Sequence, residues 1–387
     1  MFHFENSQLR VCGRIVRQQR NNEFLKKSRF IILQHILWDT YDLLKIFKEA
    51  DIELHAIIAK PYSIDEEVEK KMLFEDFPLK KYTYNEMETT NVLDEILDKA
   101  INKSKKDNKK IIIIEVGGYF ANVLTKISKK DANYFAGVVE DTTFGYNRYL
   151  KFVKNINIPV FSVARSPLKE IEAIFVGRAA VLAVDNIFRE IGISMPSRRA
   201  LVIGYGMIGK NVAFALKAHN LNVSVYDKND HRNLKAFNMG FRIHKKLELI
   251  KEADIIFSAT GTNAVTIDDI EMCKSDVVLA SVGSKDIEFD IQGIRDLAIK
   301  KETINKHVVK YIFPSNKTVY VLSEGTAVNF IIKSVPTEII DIVFSEILLC
   351  TILLLKTEKK YLPSLVHTLP ETYLNQISKD WLKNINH

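Results

Sequence analysis

The sequence predicts a two-domain α/β protein, and three observations carry that expectation. At 387 residues the chain exceeds the size at which one hydrophobic core keeps growing, so two cores are expected. Short β-rich runs alternate with amphipathic stretches through nearly the whole length, the pattern of parallel sheets covered by helices on both faces. The runs also fall into two series. Phe30 to Leu33, His55 to Ala59, Ile111 to Ile114, Ala136 to Val139 and Val160 to Val163 read as buried parallel strands. A second series begins at Ala200 with ALVIGYG and continues as LNVSVYD, ADIIFSATG, DVVLASVG and TVYVLSEG, each ending in small or polar residues.

Pro196 and the polar Ser197-Arg198-Arg199 mark the break between the two series. A first domain is expected over residues 1–180, completed by C-terminal helices over 336–387, and a second over 181–335. Hinges are expected near 165–185 and 330–340. After Gly325 a long helix is expected, followed by a return of the chain onto the first domain.

Composition narrows the class. With 47% hydrophobic and 27% charged residues the chain reads as an ordinary folded protein, neither disordered nor fibrous. Cys12, Cys273 and Cys350 are far apart and odd in number, so neither a disulfide framework nor metal-ligand spacing is present, and a reducing cytoplasm fits. His55, His219, His231, His244, His307 and His367 share no spacing that suggests a metal site. The net charge of +7 comes from lysines paired at element ends, with no basic stripe interleaved with aromatics, so no nucleic-acid partner is expected. The most apolar stretch, Ile339 to Leu355, is interrupted by Asp341 and Glu346 and is shorter than the roughly 20 residues of a membrane span. A buried helix is expected there, and no membrane partner.

The sharpest motif is Gly204-Tyr205-Gly206-Met207-Ile208-Gly209, placed between a predicted strand and a predicted helix. The first glycine permits a tight turn, the second lets backbone approach a pyrophosphate, and the third lets the helix pack on the strand. The helix N-terminus adds N–H groups and positive dipole. Asp227 ends the next strand at the distance where a carboxylate accepts bonds from a ribose 2′-hydroxyl and repels a 2′-phosphate. The second domain is therefore expected to be a Rossmann domain that binds NAD, not NADP. A glycine-rich turn that merely joins strand to helix is the plainer reading, and the spaced aspartate argues against it.

With those residues in place, the chain resembles the S-adenosylhomocysteine hydrolases from about Arg29 to Leu382. The likeness is carried by GVVEDTTFGYNRY at 137–149, GYGMIGK at 204–210, ASVGSKDIEFD at 280–290 and VYVLSEGTAVN at 319–329. It implies a flavodoxin-like α/β substrate domain beside the Rossmann domain, a nucleoside-like substrate held in a cleft between them, and a homo-oligomer. In that family a tightly held NAD oxidises a ribose 3′-hydroxyl. The C4′ proton becomes acidic, homocysteine is eliminated, water adds, and the ketone is reduced again.

Residue by residue, the resemblance makes His35 and Lys169 catalytic candidates, with Lys169 assisting removal of the hydroxyl proton. It makes Asp39 and Asp141 substrate contacts. Thr142 and Thr143 would reach the NAD, and Thr260, Gly261, Val282, Gly283 and Asn329 would line its nicotinamide side. Each has a plainer counterpart: His35 as a core histidine, Lys169 as a solvated lysine after Pro167, and Asp141 with the threonines as a helix N-cap.

The departures are equally specific. The family's aspartate before the paired glycines is Val116 here, with Glu115 beside it on what a strand would make the other face. The Asp-Asn pair after the lysine is Ala173-Ile174, which leaves Lys169 without its carboxylate neighbour. The histidine usual after the second glycine-bearing strand is Ser284, and a second histidine is replaced at Val335. The family's C-terminal extension, with a lysine and a tyrosine that reach a neighbouring subunit, is not matched, so a dimer is expected in place of the family tetramer. Three functional readings follow. One is a NAD-dependent enzyme on an adenosine-like substrate with redirected elimination, hydration or epimerisation. A second is a non-catalytic NAD-binding regulatory homologue. A third, weaker one is a simple dehydrogenase, which needs an arginine and a histidine-carboxylate pair that cannot be placed.

Overall fold

The computed structural model describes residues 9–19, 23–283, 287–356 and 361–385. It divides into two compact units, Met1–Lys169 with Thr337–His387, and Glu170–Pro336. The sequence set the first boundary at 180/181. The structure sets it at 169/170, inside a helix, because Pro167–Glu190 is one continuous 24-residue element.

The first unit is built on a seven-stranded sheet. Its strands are β1 (Ser28–Ile36), β2 (Glu53–Ile64), β3 (Leu79–Lys81), β4 (Lys110–Glu115), β5 (Phe135–Glu140) and β6 (Val160–Ser162), joined by a late edge strand at Val366–His367. All pairings are parallel, in the order β3-β2-β1-β4-β5-β6 and then the late strand. Set aside the edges β3 and Val366–His367, and the remaining five strands follow the flavodoxin order, with the order of strand addition reversing between β1 and β4. The apolar runs explain the strands: Ile31, Leu33, Ile58, Ile111, Ile113 and Val138 are fully buried in one cluster with Leu93, Leu97 and Ala100 of the Val92–Asp107 helix. Unalternating Ile and Val suit strands covered on both faces.

The second unit holds β7 (Arg199–Ile203), β8 (Asn222–Tyr226), β9 (Arg242–Ile243), β10 (Ile255–Ser258), β11 (Val277–Ser281), β12 (Lys300–Asn305), β13 (Val308–Ile312) and β14 (Thr318–Leu322). The order is β12-β13-β14-β11-β10-β7-β8-β9. Six of these strands reproduce the Rossmann order, with the switch point between β7 and β10. An antiparallel hairpin of β12 and β13 is added beyond β14.

Four helices matter for the sites, numbered here α1 (Arg10–Gln19), α2 (Pro167–Glu190), α3 (Met207–Ala218) and α4 (Thr337–Lys356). The long helix expected after Gly325 begins later than that reading, at Thr337. Residues 323–331 form 3₁₀ turns around Ser323 and Glu324, both at positive φ, and Pro336 follows. No described helix is long and apolar enough to cross a membrane. In α4 every residue from Asp341 to Leu355 is buried. The Asp341 carboxylate accepts the backbone N–H groups of Val11 at 2.8 Å and Cys12 at 2.9 Å, two of the donors that the first turn of α1 cannot satisfy itself. The first of the acids that interrupt the apolar stretch is thus a helix cap supplied from 330 residues away.

Candidate functional site

In the second unit the glycine turn lies where β7 ends. Gly204 has φ +93°, and a Cβ there would approach the Ala259 carbonyl oxygen at 2.7 Å, so only glycine fits. At Gly209 an added Cβ would fall 1.8 Å from the Gly204 carbonyl oxygen, which is how closely α3 presses on the strand end. Gly206 differs. Its φ is −78°, and the nearest atom an added Cβ would meet is Arg232 Nη1 at 3.9 Å. The protein itself does not require glycine at 206. The space over it suits a group that must come close to backbone, as a pyrophosphate does. Gly206 is the N-cap of the 12-residue α3 and no side chain caps that end, so the N–H groups beginning with Met207 and Ile208 are presented outward.

Asp227 follows β8 and is 4% exposed. Its Oδ2 accepts from Tyr205 N at 2.7 Å and Arg232 Nη1 at 3.3 Å, and its Oδ1 accepts from Asn229 N at 2.9 Å. Asn233 grips the same residue's main chain on both sides, at 2.7 and 2.8 Å. The carboxylate is thereby aimed at the glycine turn, and a carboxylate has capacity for further donors.

Sequence reasoning missed Glu288, which organises the other side of the switch point. Fully buried, it accepts from Ser258 Oγ at 2.6 Å, Thr260 N at 2.9 Å, Thr260 Oγ1 at 2.7 Å and Gly261 N at 2.6 Å. A Cβ on Gly283 would sit 2.2 Å from its Oε1. Thr260 and Gly261 are therefore held by one carboxylate, and Gly283 packs closely against it. Val282 is 5% exposed and packs in the core, and Asn329, 4% exposed, donates from Nδ2 to Ser334 Oγ at 2.9 Å. Ser284 lies outside the described residues.

In the first unit the candidates gather at the carboxyl ends of the strands. His35 is the penultimate residue of β1, before the Trp38–Glu49 helix, where the pairing with β2 slips and residues 60–63 bulge opposite it. The bulge brings Ser63 Oγ to 2.5 Å from His35 Nδ1. Burial, with the Lys60 and Lys169 ammonium groups nearby, pushes the imidazole down to about 3, so His35 is neutral at physiological pH. Lys60 is itself 1% exposed, its ammonium 5.0 Å from the Tyr119 ring centre and 5.3 Å from that of Tyr84. Asp39 is buried, and its Oδ1 accepts the Thr337 hydroxyl.

Lys169, at the start of α2, pairs with Asp141 at 2.8 Å, and both side chains are close to 10% exposed. This corrects two expectations. The lysine is not solvated, and it does not lack a carboxylate: Asp141, just after β5, is its partner. The pairing is invisible in sequence because the partners come from different strand ends.

Thr142 caps the next helix, its Oγ1 accepting from Gly145 N at 3.0 Å, so the N-cap reading holds for it, while Thr143 is exposed. A second missed carboxylate, Glu140, plays the part in this unit that Glu288 plays in the other. It accepts from Gly117 N at 3.1 Å, Gly118 N at 2.9 Å and Thr142 N at 2.6 Å. Burial and the neighbouring Glu115 push it up to about 8. Glu115 is fully buried, bonded by Tyr119 N and the Tyr149 hydroxyl. Val116 is in the apolar core, so its position supplies no proton acceptor.

A family model for the S-adenosyl-L-homocysteine hydrolase NAD-binding domain matches residues 174–334. The adenosylhomocysteinase of Saccharolobus solfataricus is 26% identical over 366 residues, covering 93% of this chain and 85% of that one. The chain is similar to the S-adenosylhomocysteine hydrolases over most of its length. The adenosylhomocysteinase of Thermotoga maritima is likewise 26% identical over 277 residues, covering 70% of this chain and 68% of that one. Among solved structures, a putative D-3-phosphoglycerate dehydrogenase from Ralstonia solanacearum has a TM-score of 0.46 at 12% identity, covering 89% of this chain and 98% of that one.

NAD is the cofactor of the domain that the match describes, and the residues of this chain fit it. The space over Gly206, the uncapped start of α3 and the buried Asp227 match, in that order, a pyrophosphate, its charge, and a ribose diol.

Proposed function

We propose that this protein is an enzyme that removes a proton from a ribosyl hydroxyl, and a hydride from the carbon that bears it, in an adenosine-like substrate. Its later chemistry would differ from efficient S-adenosylhomocysteine hydrolysis. The observation that carries the reading is the buried Lys169–Asp141 pair on the same sheet edge as the neutral His35. A lysine in that setting can exchange a proton with a hydroxyl. Asp141 holds the ammonium that results, and Asp39 and Asp141 offer acceptors to a ribose diol. His35, neutral and steadied by Ser63, has a ring nitrogen able to accept a proton. Bound NAD supplies the hydride acceptor, with Thr142, Thr143, Thr260, Gly261, Val282, Gly283 and Asn329 as its proposed contacts. The reading of redirected chemistry rests on Val116, since one proton acceptor of the family set is replaced by an alkyl group in the core.

The test is to load the protein with NAD, add adenosine or S-adenosylhomocysteine, and follow absorbance of the reduced nicotinamide. Rapid partial reduction, lost in Lys169→Ala, supports the enzyme. Bound NAD that no nucleoside reduces supports the non-catalytic regulatory homologue, and a Lys169→Ala protein that reduces NAD normally removes that lysine from the mechanism.

A further inference from the structure

Two buried carboxyls, Asp341 and Glu346, interrupt the apolar helix α4, and burial of a carboxylate is costly unless it is bonded. Asp341 is accounted for by its cap on α1. Glu346 is 1% exposed and shares a hydrogen bond with Ser166, three residues before Lys169 at the entry to α2. Its Oε2 meets no hydrogen-bond partner among the described residues. The charged pair next to it is Lys169 and Asp141, 2.8 Å apart. The third group facing it is Cys350 one turn along α4, a thiol that burial keeps protonated. Of the elements packed on α4, α1 brings Cys12, also kept protonated by burial, and the Trp38–Glu49 helix brings Asp39, bound to Thr337.

We propose that Glu346 is a positioning residue for Lys169: a carboxyl delivered from α4 that governs how readily the lysine releases its proton. The idea deepens the enzymatic reading above and rests on the role given there to Lys169. As a carboxylate, Glu346 is a second anion beside the ammonium and holds the proton on nitrogen. As a neutral acid it leaves Asp141 as the anion facing the lysine, and the amine forms more easily. Burial pushes Glu346 up to about 7, which puts the exchange between these forms in the neutral range. Where relatives carry a carboxylate four residues after the lysine, this chain has Ala173 and brings an acid in from another element.

The experiment uses the full chain without nucleoside or NAD, so its result is independent of whether adenosine is a substrate. Lys169 modification by formaldehyde and cyanoborohydride is timed by peptide mass spectrometry from pH 6 to pH 9. Wild-type and Glu346→Gln proteins are expected to react alike at pH 6 and to diverge above pH 7. The variant should become up to about tenfold faster, one pKa unit, and Glu346→Asp should restore the wild-type profile. Superimposed profiles at every pH would overturn the proposal. Should the glutamine variant fail to fold, infrared titration of the buried carboxyl decides: its midpoint should rise by about one unit in Lys169→Met, and an unchanged midpoint would overturn it equally.

Discussion

Replacing Gly206 by alanine separates a glycine kept for the fold from one kept for a ligand. At 206 the backbone has φ −78° and an added Cβ meets nothing nearer than 3.9 Å, so alanine is unstrained in the protein alone. Such a change is expected to leave stability unaltered or raise it by about 0.4–1 kcal/mol, since alanine restricts the unfolded chain. A pyrophosphate hydrogen-bonded to the turn places oxygens about 3 Å from its nitrogens, and a methyl group in that space forces it away. Losing two bonds to a charged group, at about 1.5–3 kcal/mol each, weakens NAD binding by a factor on the order of a hundred or more. Calorimetric titration with NAD and thermal unfolding without it measure both quantities. Gly209→Ala is the contrast: its Cβ would lie 1.8 Å from a carbonyl oxygen, so stability and binding should fall together. A Gly206→Ala protein that binds NAD within about threefold of wild type would refute the placement of the pyrophosphate.

Other expectations follow from single contacts. Asp227→Ala should lower NAD affinity and cost about 1–3 kcal/mol of stability, because it strands the Tyr205 and Asn229 amides; NAD titration and urea unfolding check both. Glu288→Ala leaves the Ser258, Thr260 and Gly261 donors unpaired and should destabilise the second unit by several kcal/mol, on the order of the loss of a buried network, read as a lowered melting temperature of that unit. His35 is held neutral in the fold but charges near pH 6.5 when unfolded. It therefore takes stability away as pH falls from 6.5 towards 3, and His35→Gln should flatten the acid limb of the unfolding profile over that window. For Glu346 the sign is opposite: its raised folded value makes stability fall as pH rises from about 4.5 to 7, and Glu346→Gln should remove that decline in melting temperature.

Much of the second unit was legible because its signals are local. The Gly204–Gly209 turn, the strand before it and Asp227 lie within one βαβ stretch, where spacing along the chain fixes spacing in space. The two series of apolar strands and the buried helix at 339–355 were legible for the same reason, since burial on both faces writes itself as unbroken Val, Ile and Leu. What stayed hidden was every partnership formed between strand ends or across helices: Asp141 with Lys169, Ser63 with His35, Glu288 with Thr260, and Asp341 with α1.

Sequence alone therefore determined the chain's secondary-structure grammar, its family resemblance and its cofactor turn. Only tertiary structure decided which buried acids serve the site, because parallel sheets bring strand ends together that are far apart in sequence. A carboxylate looks alike in sequence whether it caps a helix, as Asp341 does, or pairs with a lysine, as Asp141 does. Its role is set by what the fold leaves within about 4 Å of it, the reach of a charged contact.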